Sequence, residues 1–310
     1  MKEFELIELL TKNLPQGKNV VAGPGDDCAV LKSPGAGESL LFKTDAIVEG
    51  VHFEPGAAPE RIGHKALARV LSDIAAMAGA PEAALITIGL PRKFDADYVQ
   101  RIYNGISRLA ARHKVSIVGG ETTTNPDRIF ISISLLGRVE NGRAVLRSGA
   151  RDGDAIFVTG ELGGSLSGRH LEFEPRLDEA RWLAANWDLH SMIDLSDGLA
   201  GDIRHILKAS EVGAELLASA IPISRAAKIA SKTKSTAKPA LVAALTDGED
   251  FELLFTVPGR QAVPLLDAWK ATFKTLRLSC IGKITKQPGI LLRDKSGARP
   301  LTAHGYAHLA

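Results

Sequence analysis

Carboxylates recur along this chain at the ends of apolar segments or inside them. The clearest case is the stretch at residues 40–53, LLFKTDAIVEGVHF, in which Thr44, Asp45 and His52 follow a short apolar strand. Hard oxygen ligands on a well-anchored element are what a Mg²⁺ site requires. The same pattern returns at further places in the sequence: Asp26/Asp27, Asp73, Glu121, Asp194/Asp197 and Glu249/Asp250.

Bringing these acids together would be costly without cations. Each close pair of carboxylates repels by about 4 kcal/mol at an effective dielectric constant of about 20. A fold therefore retains such a cluster only if cations fill it. Protein-bound Mg²⁺ that is held by few carboxylates usually also binds substrate phosphates. The acids thus lead to the hypothesis of phosphoryl transfer assisted by several metal ions.

Each acidic position also has an ordinary structural interpretation. Asp26-Asp27 after a glycine turn is typical turn chemistry. Asp194 and Asp197 beside a serine can cap the helix that follows. His52 taken alone is better interpreted as a structural histidine. Asp73 is the exception, because a carboxylate flanked by alanines inside a helix has no obvious structural use.

The standard nucleotide-binding loops are missing from the sequence. The motif GxxxxGK[ST] does not occur in the sequence, which excludes a P-loop. No GxGxxG motif opens a predicted helix, which argues against a Rossmann nucleotide-binding site. The HRD and DFG motifs of protein kinases are also missing. The remaining candidates for a phosphate cradle are two glycine turns, Gly119-Gly120 and Gly163-Gly164, with Arg147 as a phosphate partner.

Composition sets broad limits on organisation and partners. A chain of 310 residues predicts two domains. The formal net charge of +2 predicts no large electrostatic surface for nucleic acid or membrane. Cys28 and Cys280 are far apart, which argues against a disulfide framework or a zinc site. The acidic N-terminus lacks the apolar core of a signal peptide, so we expect a cytoplasmic protein.

Periodicity predicts the elements that position these side chains. Strands are expected at 28–31 and 40–42 as an antiparallel pair, and a buried strand at 115–118 that ends in Gly119-Gly120-Glu121. Helices are expected at 1–13, 59–78, 97–113 and from Gly198 to about Lys208. Further predicted elements are strands at 84–90, 129–139, 155–158, 192–193 and 251–257, a connection at 140–154 and a basic loop at 231–238.

Seven motifs in this order resemble the thiamine-monophosphate kinase family. The wider superfamily includes aminoimidazole ribonucleotide synthetase, selenophosphate synthetase and a hydrogenase-maturation protein. The motifs are GDDCAVL (25–31), KTDAIVEGVHF (43–53), LSDIAAMAGAP (71–81), VGGETT (118–123), RSGARDGD (147–154), MIDLSDGLAGD (192–202) and DGEDFELLFTV (247–257).

The resemblance implies a mixed α+β and α/β fold in two domains. An N-terminal domain at 1–140 would carry a mixed sheet with helices on one face, and this sheet would form a barrel with the second subunit of a homodimer. An α/β sandwich at 141–310 would complete the active site. No nucleic-acid or membrane partner is implied.

The resemblance also implies an activity and a set of binding residues. The family uses ATP and several Mg²⁺ ions to phosphorylate thiamine monophosphate to thiamine diphosphate, with no side chain acting as a general base. ATP would contact Gly120, Arg147 and Ser196, and thiamine monophosphate would contact His52, Glu249 and Tyr306. The metal ions would be held by Asp27, Thr44, Asp45, Asp73, Glu121, Asp194 and Asp197.

Three features depart from the family pattern. Glu121 stands where the family usually has Asp, and Lys43 stands where a small hydroxyl residue is common. The segment at 168–175 is shorter than usual. Two alternatives therefore stay open beside the kinase: another ATP-dependent enzyme of the superfamily that acts on a different phosphorylated metabolite, and a catalytically silent paralogue.

Overall fold

The computed structural model describes residues 3–33, 35, 37–233, 237–303 and 305–306. The chain divides into two compact units. The N-terminal unit comprises residues 18–144 and 168–178, and the C-terminal unit comprises 1–17, 145–167 and 179–310. The first seventeen residues therefore group with the C-terminal unit, and a short later segment groups with the N-terminal unit, which differs from the predicted division at 140.

A six-stranded mixed sheet forms the N-terminal unit. Its elements are β1 (Val20–Ala22), β2 (Ala29–Lys32), β3 (Glu38–Val48), α2 (Pro59–Ala76), β4 (Ala80–Leu90), α3 (Ala96–Arg112), β5 (Ser116–Thr124) and β6 (Phe130–Glu140). The strand order is β1-β2-β3-β6-β4-β5, and only the β4–β5 pair is parallel. The predicted β2–β3 hairpin is confirmed, with Val30 opposite Leu41.

Helix α2 packs against the sheet, and its side chains are buried over most of its length. Leu41, Ile47 and Ile133 lie at most 1% exposed on the sheet. The helices α2 and α3 approach closely because each has a glycine at the contact: a Cβ on Gly63 would lie 1.9 Å from the Ile102 carbonyl oxygen, and one on Gly105 would lie 2.0 Å from that of Glu60.

The other face of the same sheet is open. Phe42 on β3 and Leu85 on β4 are each 47% exposed. All nine residues of the edge strand β5 are exposed. The prediction of a buried strand at 115–118 is therefore wrong: the strand begins at Ser116, continues through the two glycines to Thr124, and lies at the sheet edge.

The C-terminal unit is built on a seven-stranded sheet, ordered β13-β12-β9-β11-β7-β10-β8. The remaining elements are α1 (Glu3–Thr11), β7 (Ala155–Thr159), α4 (Leu177–Asn186), β8 (Ser191–Asp194), α5 (Leu199–Ser210), β9 (Gly213–Leu217), α6 (Arg225–Thr233), α7 (Ala240–Thr246), β10 (Leu253–Val257), α8 (Ala262–Thr272), β11 (Leu278–Thr285), β12 (Gly289–Asp294) and β13 (Gly297–Pro300). Short 3₁₀ helices occupy Ser165–Ser167, Arg169–Leu171 and Gly259–Gln261.

The core of this unit is formed by the central strands and α5, with Val158, Ile193, Ile203 and Leu254 at most 1% exposed. The predicted basic loop at 231–238 begins inside α6, and its residues 234–236 lie outside the described part of the chain. Among the described residues, no helix combines the length and apolar character needed to cross a membrane.

Candidate active site

Strand β3 divides the first set of predicted ligands between two faces of the sheet. Side chains alternate along a strand, so Lys43 and Asp45 share the face of the buried residues Leu41 and Ile47. Thr44 points to the opposite, open face, where its Oγ1 accepts a hydrogen bond of 3.1 Å from the Ser134 hydroxyl. The structure therefore does not bring the hydroxyl of Thr44 together with the carboxylate of Asp45.

The side chains on the helix-covered face converge on a lysine. The Lys43 ammonium donates a hydrogen bond of 2.8 Å to Asp73 Oδ1, which comes from α2. Asp73 and Asp27 are 6% and 2% exposed. We call Asp27, Lys43, Asp45 and Asp73 the Lys43 cluster. Asp73 has a structural partner after all, because the ion pair with Lys43 stabilises its charge inside the fold.

The charge of Lys43 is fixed by its neighbours. Burial acts to lower the pKa of Lys43, but the carboxylates of Asp73, Asp45 and Asp27 together outweigh it and hold that pKa well above its ordinary value. The side chain consequently stays protonated throughout the physiological pH range. The chain therefore supplies one of the cations that these acids require.

A second cation from α2 lies beside Asp45. Arg69 Nε lies 2.9 Å from Asp45 Oδ2, and the Arg69 side chain is only 11% exposed. The same guanidinium donates a hydrogen bond of 3.3 Å to the Ala46 carbonyl oxygen. Sequence reasoning missed Arg69 and the ion pair of Lys43 with Asp73. The i, i+2 spacing of Lys43 and Asp45 already indicates that the two side chains share a face of β3.

Glu121 lies away from the Lys43 cluster in the register of the sheet. Ala46 is paired with Ser132, Ser132 with Thr87, and Thr87 with Glu121. Paired residues point to the same face, so Glu121 shares the open face with Thr44. Its neighbour Gly120 has a structural reason to be glycine, because a Cβ there would lie 1.8 Å from the Ile86 carbonyl oxygen.

The turn after β3 holds His52 by two contacts. The Val48 N–H donates to His52 Nδ1 at 3.1 Å, and Lys65 Nζ donates to the His52 carbonyl oxygen at 2.6 Å. Lys65 is fully buried on α2. Because Nδ1 accepts a hydrogen bond, the neutral ring carries its proton on Nε2.

In the C-terminal unit, the loop that follows β8 and the loop that precedes β10 are joined by backbone hydrogen bonds. Residues 194–198 are called the Asp194 loop, and residues 247–252 the Glu249 loop. Glu249 N–H donates to the Ser196 carbonyl oxygen at 2.6 Å, Phe251 N–H donates to that of Leu195 at 2.7 Å, and Leu195 N–H donates to that of Glu252 at 2.8 Å. The strand pairing of β8 with β10 thus continues into both loops.

The acids of the Glu249 loop have different environments. Gly163 N–H donates to Asp250 Oδ2 at 2.8 Å, and Gly164 N–H donates to Asp247 Oδ2 at 3.1 Å. The interpretation of Gly163-Gly164 as a phosphate cradle is therefore wrong, since protein carboxylates already occupy both amides. Glu249 is partly exposed and has a left-handed φ of 66°. This conformation costs a non-glycine residue energy and is commonly found at functional sites.

The Asp194 loop concentrates negative charge near Arg147. Asp194 is 4% exposed and ends β8, and the Asp197 N–H donates to Asp202 Oδ2 at 3.1 Å. Burial, followed by the charges of Asp197 and Asp194, raises the pKa of Asp202 well above its ordinary value, while that backbone hydrogen bond and Arg147 oppose the shift. Sequence reasoning did not single out Asp202.

We expect Asp202→Asn to stabilise the metal-free protein in a pH-dependent way. An acid whose pKa is raised by folding stabilises the folded state at low pH and loses this contribution as pH rises through the folded-state pKa. Asn keeps an oxygen acceptor for the Asp197 N–H but cannot ionise.

Chemical unfolding in EDTA measures this effect as a function of pH. The variant's advantage in free energy of unfolding should be largest on the alkaline side and shrink towards about pH 4, near the pKa of Asp in unfolded chains. An advantage that is the same at every pH would show that the charge of Asp202 is not its cause.

The C-terminal segment is held against the Asp194 loop. The Tyr306 N–H donates to the Asp197 carbonyl oxygen at 2.8 Å. Arg204 on α5 donates to the carbonyl oxygens of Leu301 and Ala303, both at 3.0 Å. The Tyr306 residue itself is 52% exposed. A residue this exposed does not fill the core of the unit.

Known proteins resemble this chain over most of its length. Residues 25–139 match the family model of the AIR synthase related protein, N-terminal domain. The thiamine-monophosphate kinase of Rhodopirellula baltica is 40% identical over 91% of this chain and 88% of its own length. That of Bacillus subtilis (strain 168) is 32% identical over 99% of both chains.

A solved structure supports the two-unit fold over the whole chain. The structure of AaThiL complexed with AMPPCP and TMP matches with a TM-score of 0.84 and 33% identity, covering 99% of this chain and 97% of that one. Similarity of this extent in both sequence and fold places the whole chain in one family. The chain belongs to the thiamine-monophosphate kinase family.

Proposed function

We infer that this protein phosphorylates thiamine monophosphate to thiamine diphosphate with ATP as the phosphoryl donor. The observation that carries this inference is the convergence of Ser196, Asp197, Glu249 and Tyr306 on one pair of interlocked loops. The relatives with this name align over nearly the whole chain. The solved relative holds AMPPCP, an ATP analogue, together with TMP.

The residues present fit Mg²⁺. Aspartates of the Lys43 cluster and of the Asp194 loop offer the hard carboxylate oxygens that Mg²⁺ prefers. We propose Asp27, Asp45, Asp73, Asp194 and Asp197 as its ligands, and Thr44 and Glu121 stay predicted ligands. When bound, Mg²⁺ supplies positive charge against the phosphates of both substrates.

The acceptor group explains why the site needs no general base. A phosphate monoester has a second pKa of about 6 and is already a dianion at neutral pH. Arg147, half-buried and close enough to Asp202 to oppose its pKa shift, is proposed with Ser196 and Gly120 to contact ATP. His52, with its proton on Nε2, is proposed to donate to the phosphate of thiamine monophosphate, while Glu249 and Tyr306 contact the rest of the molecule.

We also propose that the chain acts as a cytoplasmic homodimer through the open face of its six-stranded sheet. Phe42 and Leu85 expose apolar surface there, and a soluble monomer rarely leaves such a face uncovered. Sedimentation equilibrium tests this directly: a particle with the mass of a single chain at micromolar concentration would contradict it.

Product analysis decides between this kinase and another enzyme of the superfamily. Purified protein with ATP and Mg²⁺ should convert thiamine monophosphate to thiamine diphosphate and release ADP in equal amounts. Phosphorylated aminoimidazole precursors should release none. ADP release with a precursor but not with thiamine monophosphate would assign the chain to a different reaction, and release with neither would indicate a silent paralogue.

A further inference from the structure

Lys43 projects a cation from β3 into a group of acids that could each hold a metal. Its ammonium lies 2.8 Å from Asp73 Oδ1, and its side chain is 26% exposed. Asp45 follows it by two residues on the same face of β3. The charges of Asp73, Asp45 and Asp27 all act on this one ammonium.

The position of Lys43 is set by rigid elements. β3 is hydrogen-bonded to β2 and β6, and Leu41 and Ile47 on the same face are at most 1% exposed. Asp73 lies on a buried helix between Ser72 and Ile74, which are also at most 1% exposed. The backbone positions from which Lys43 and Asp73 extend are therefore fixed relative to each other by the packed layer between strand and helix.

We propose that the Lys43 ammonium is a tethered cation that takes the place of one metal ion within the Lys43 cluster. This rests on the proposed function, which requires Mg²⁺ at these acids. The ammonium occupies one coordination position of the Asp73 carboxylate, at Oδ1, and its positive charge repels a metal ion that would approach that oxygen. This protein consequently binds one metal ion fewer than its carboxylates alone would allow.

Metal counting without substrates tests the proposal. Mn²⁺ serves as the probe, and equilibrium dialysis gives the number bound per chain in the absence of ATP and thiamine monophosphate. Lys43→Met keeps an unbranched side chain without charge, and it should bind one more Mn²⁺ per chain than the wild type. Lys43→Arg keeps the charge and should bind the wild-type number.

Thermal melting supplies a second readout. In EDTA, Lys43→Met should melt several degrees below the wild type because its acids have lost a counter-cation. Added Mg²⁺ should raise the melting temperature of this variant more than that of the wild type. Lys208→Gln removes an exposed lysine of the other unit, whose ammonium lies 3.7 Å from Glu8, and it should change neither quantity.

The outcomes separate this proposal from the proposed function. Equal Mn²⁺ numbers in the wild type and Lys43→Met would overturn the role of Lys43 while leaving the kinase reaction intact. A wild type that binds no Mn²⁺ would overturn the metal requirement itself. If Lys43→Met does not fold in EDTA, folding restored by Mg²⁺ supports the proposal. Failure of both Lys43→Met and Lys43→Gln to fold with Mg²⁺ shows a purely structural ion pair and overturns it.

Discussion

Replacing Asp73 by Asn is expected to lower the rate of thiamine diphosphate formation by about 10²–10³-fold, the usual cost of losing one electrostatic group that stabilises a transition state. In EDTA the same variant should also melt several degrees lower, because the hydrogen-bonded ion pair with Lys43 is lost. Initial rates and melting curves on the same preparations measure both effects.

Asp27→Asn is the matched control for stability. It removes another buried carboxylate of the Lys43 cluster and should reduce the rate as strongly. Its melting temperature in EDTA should nevertheless stay at or above that of the wild type, because the change removes one of the carboxylates that repel one another in the Lys43 cluster and leaves the Lys43–Asp73 ion pair in place. A clear loss of stability in Asp27→Asn would show that Asp27 is a structural acid, and unchanged rates would remove both residues from the site.

Replacing Tyr306 by Ala is expected to raise the KM for thiamine monophosphate. The thiazolium ring of thiamine is a permanent cation, and an aromatic face attracts a cation by roughly 0.5–2 kcal/mol. If Tyr306→Ala removes this attraction completely, the KM for thiamine monophosphate should rise by about 2- to 30-fold. Steady-state kinetics with thiamine monophosphate varied at saturating ATP give the value.

Tyr306→Phe is the control for this interaction. It keeps the ring and should stay close to the wild type, and the KM for ATP should move little in either variant. Because the Tyr306 side chain is half exposed and its backbone N–H anchors the segment, the Ala substitution should leave the melting temperature almost unchanged. Equal shifts of both KM values would indicate that the segment has come loose from the Asp194 loop.

Local patterns predicted most elements because they depend on neighbours in sequence. The helix predicted at 59–78 is α2, Pro59–Ala76, whose start is fixed by the proline and whose apolar residues recur every third or fourth position. The hairpin of β2 and β3 was equally predictable, since turn residues separate two apolar runs. The family resemblance supplied the fold, and the match to the solved relative confirms it.

Features that depend on contacts between distant residues could not be predicted. The apolar run Ile117-Val118 resembles a buried strand, but its exposure is decided by the place of β5 at the edge of the sheet. Asp73 looked isolated among alanines because its partner, Lys43, is thirty positions away in sequence. The amides of Gly163 and Gly164 looked available until Asp250 and Asp247 were found to occupy them.

The comparison of thiamine monophosphate with free thiamine tests the central claim most directly. Both carry the thiazolium ring, but only the monophosphate presents an acceptor that is ionised at neutral pH without a base. ADP release at equal concentrations of the two, with ATP and Mg²⁺, should be rapid for thiamine monophosphate and at background for thiamine. Equal turnover of the two would contradict the account, because phosphorylation of the neutral alcohol of thiamine would require a general base, and the proposed reaction uses none.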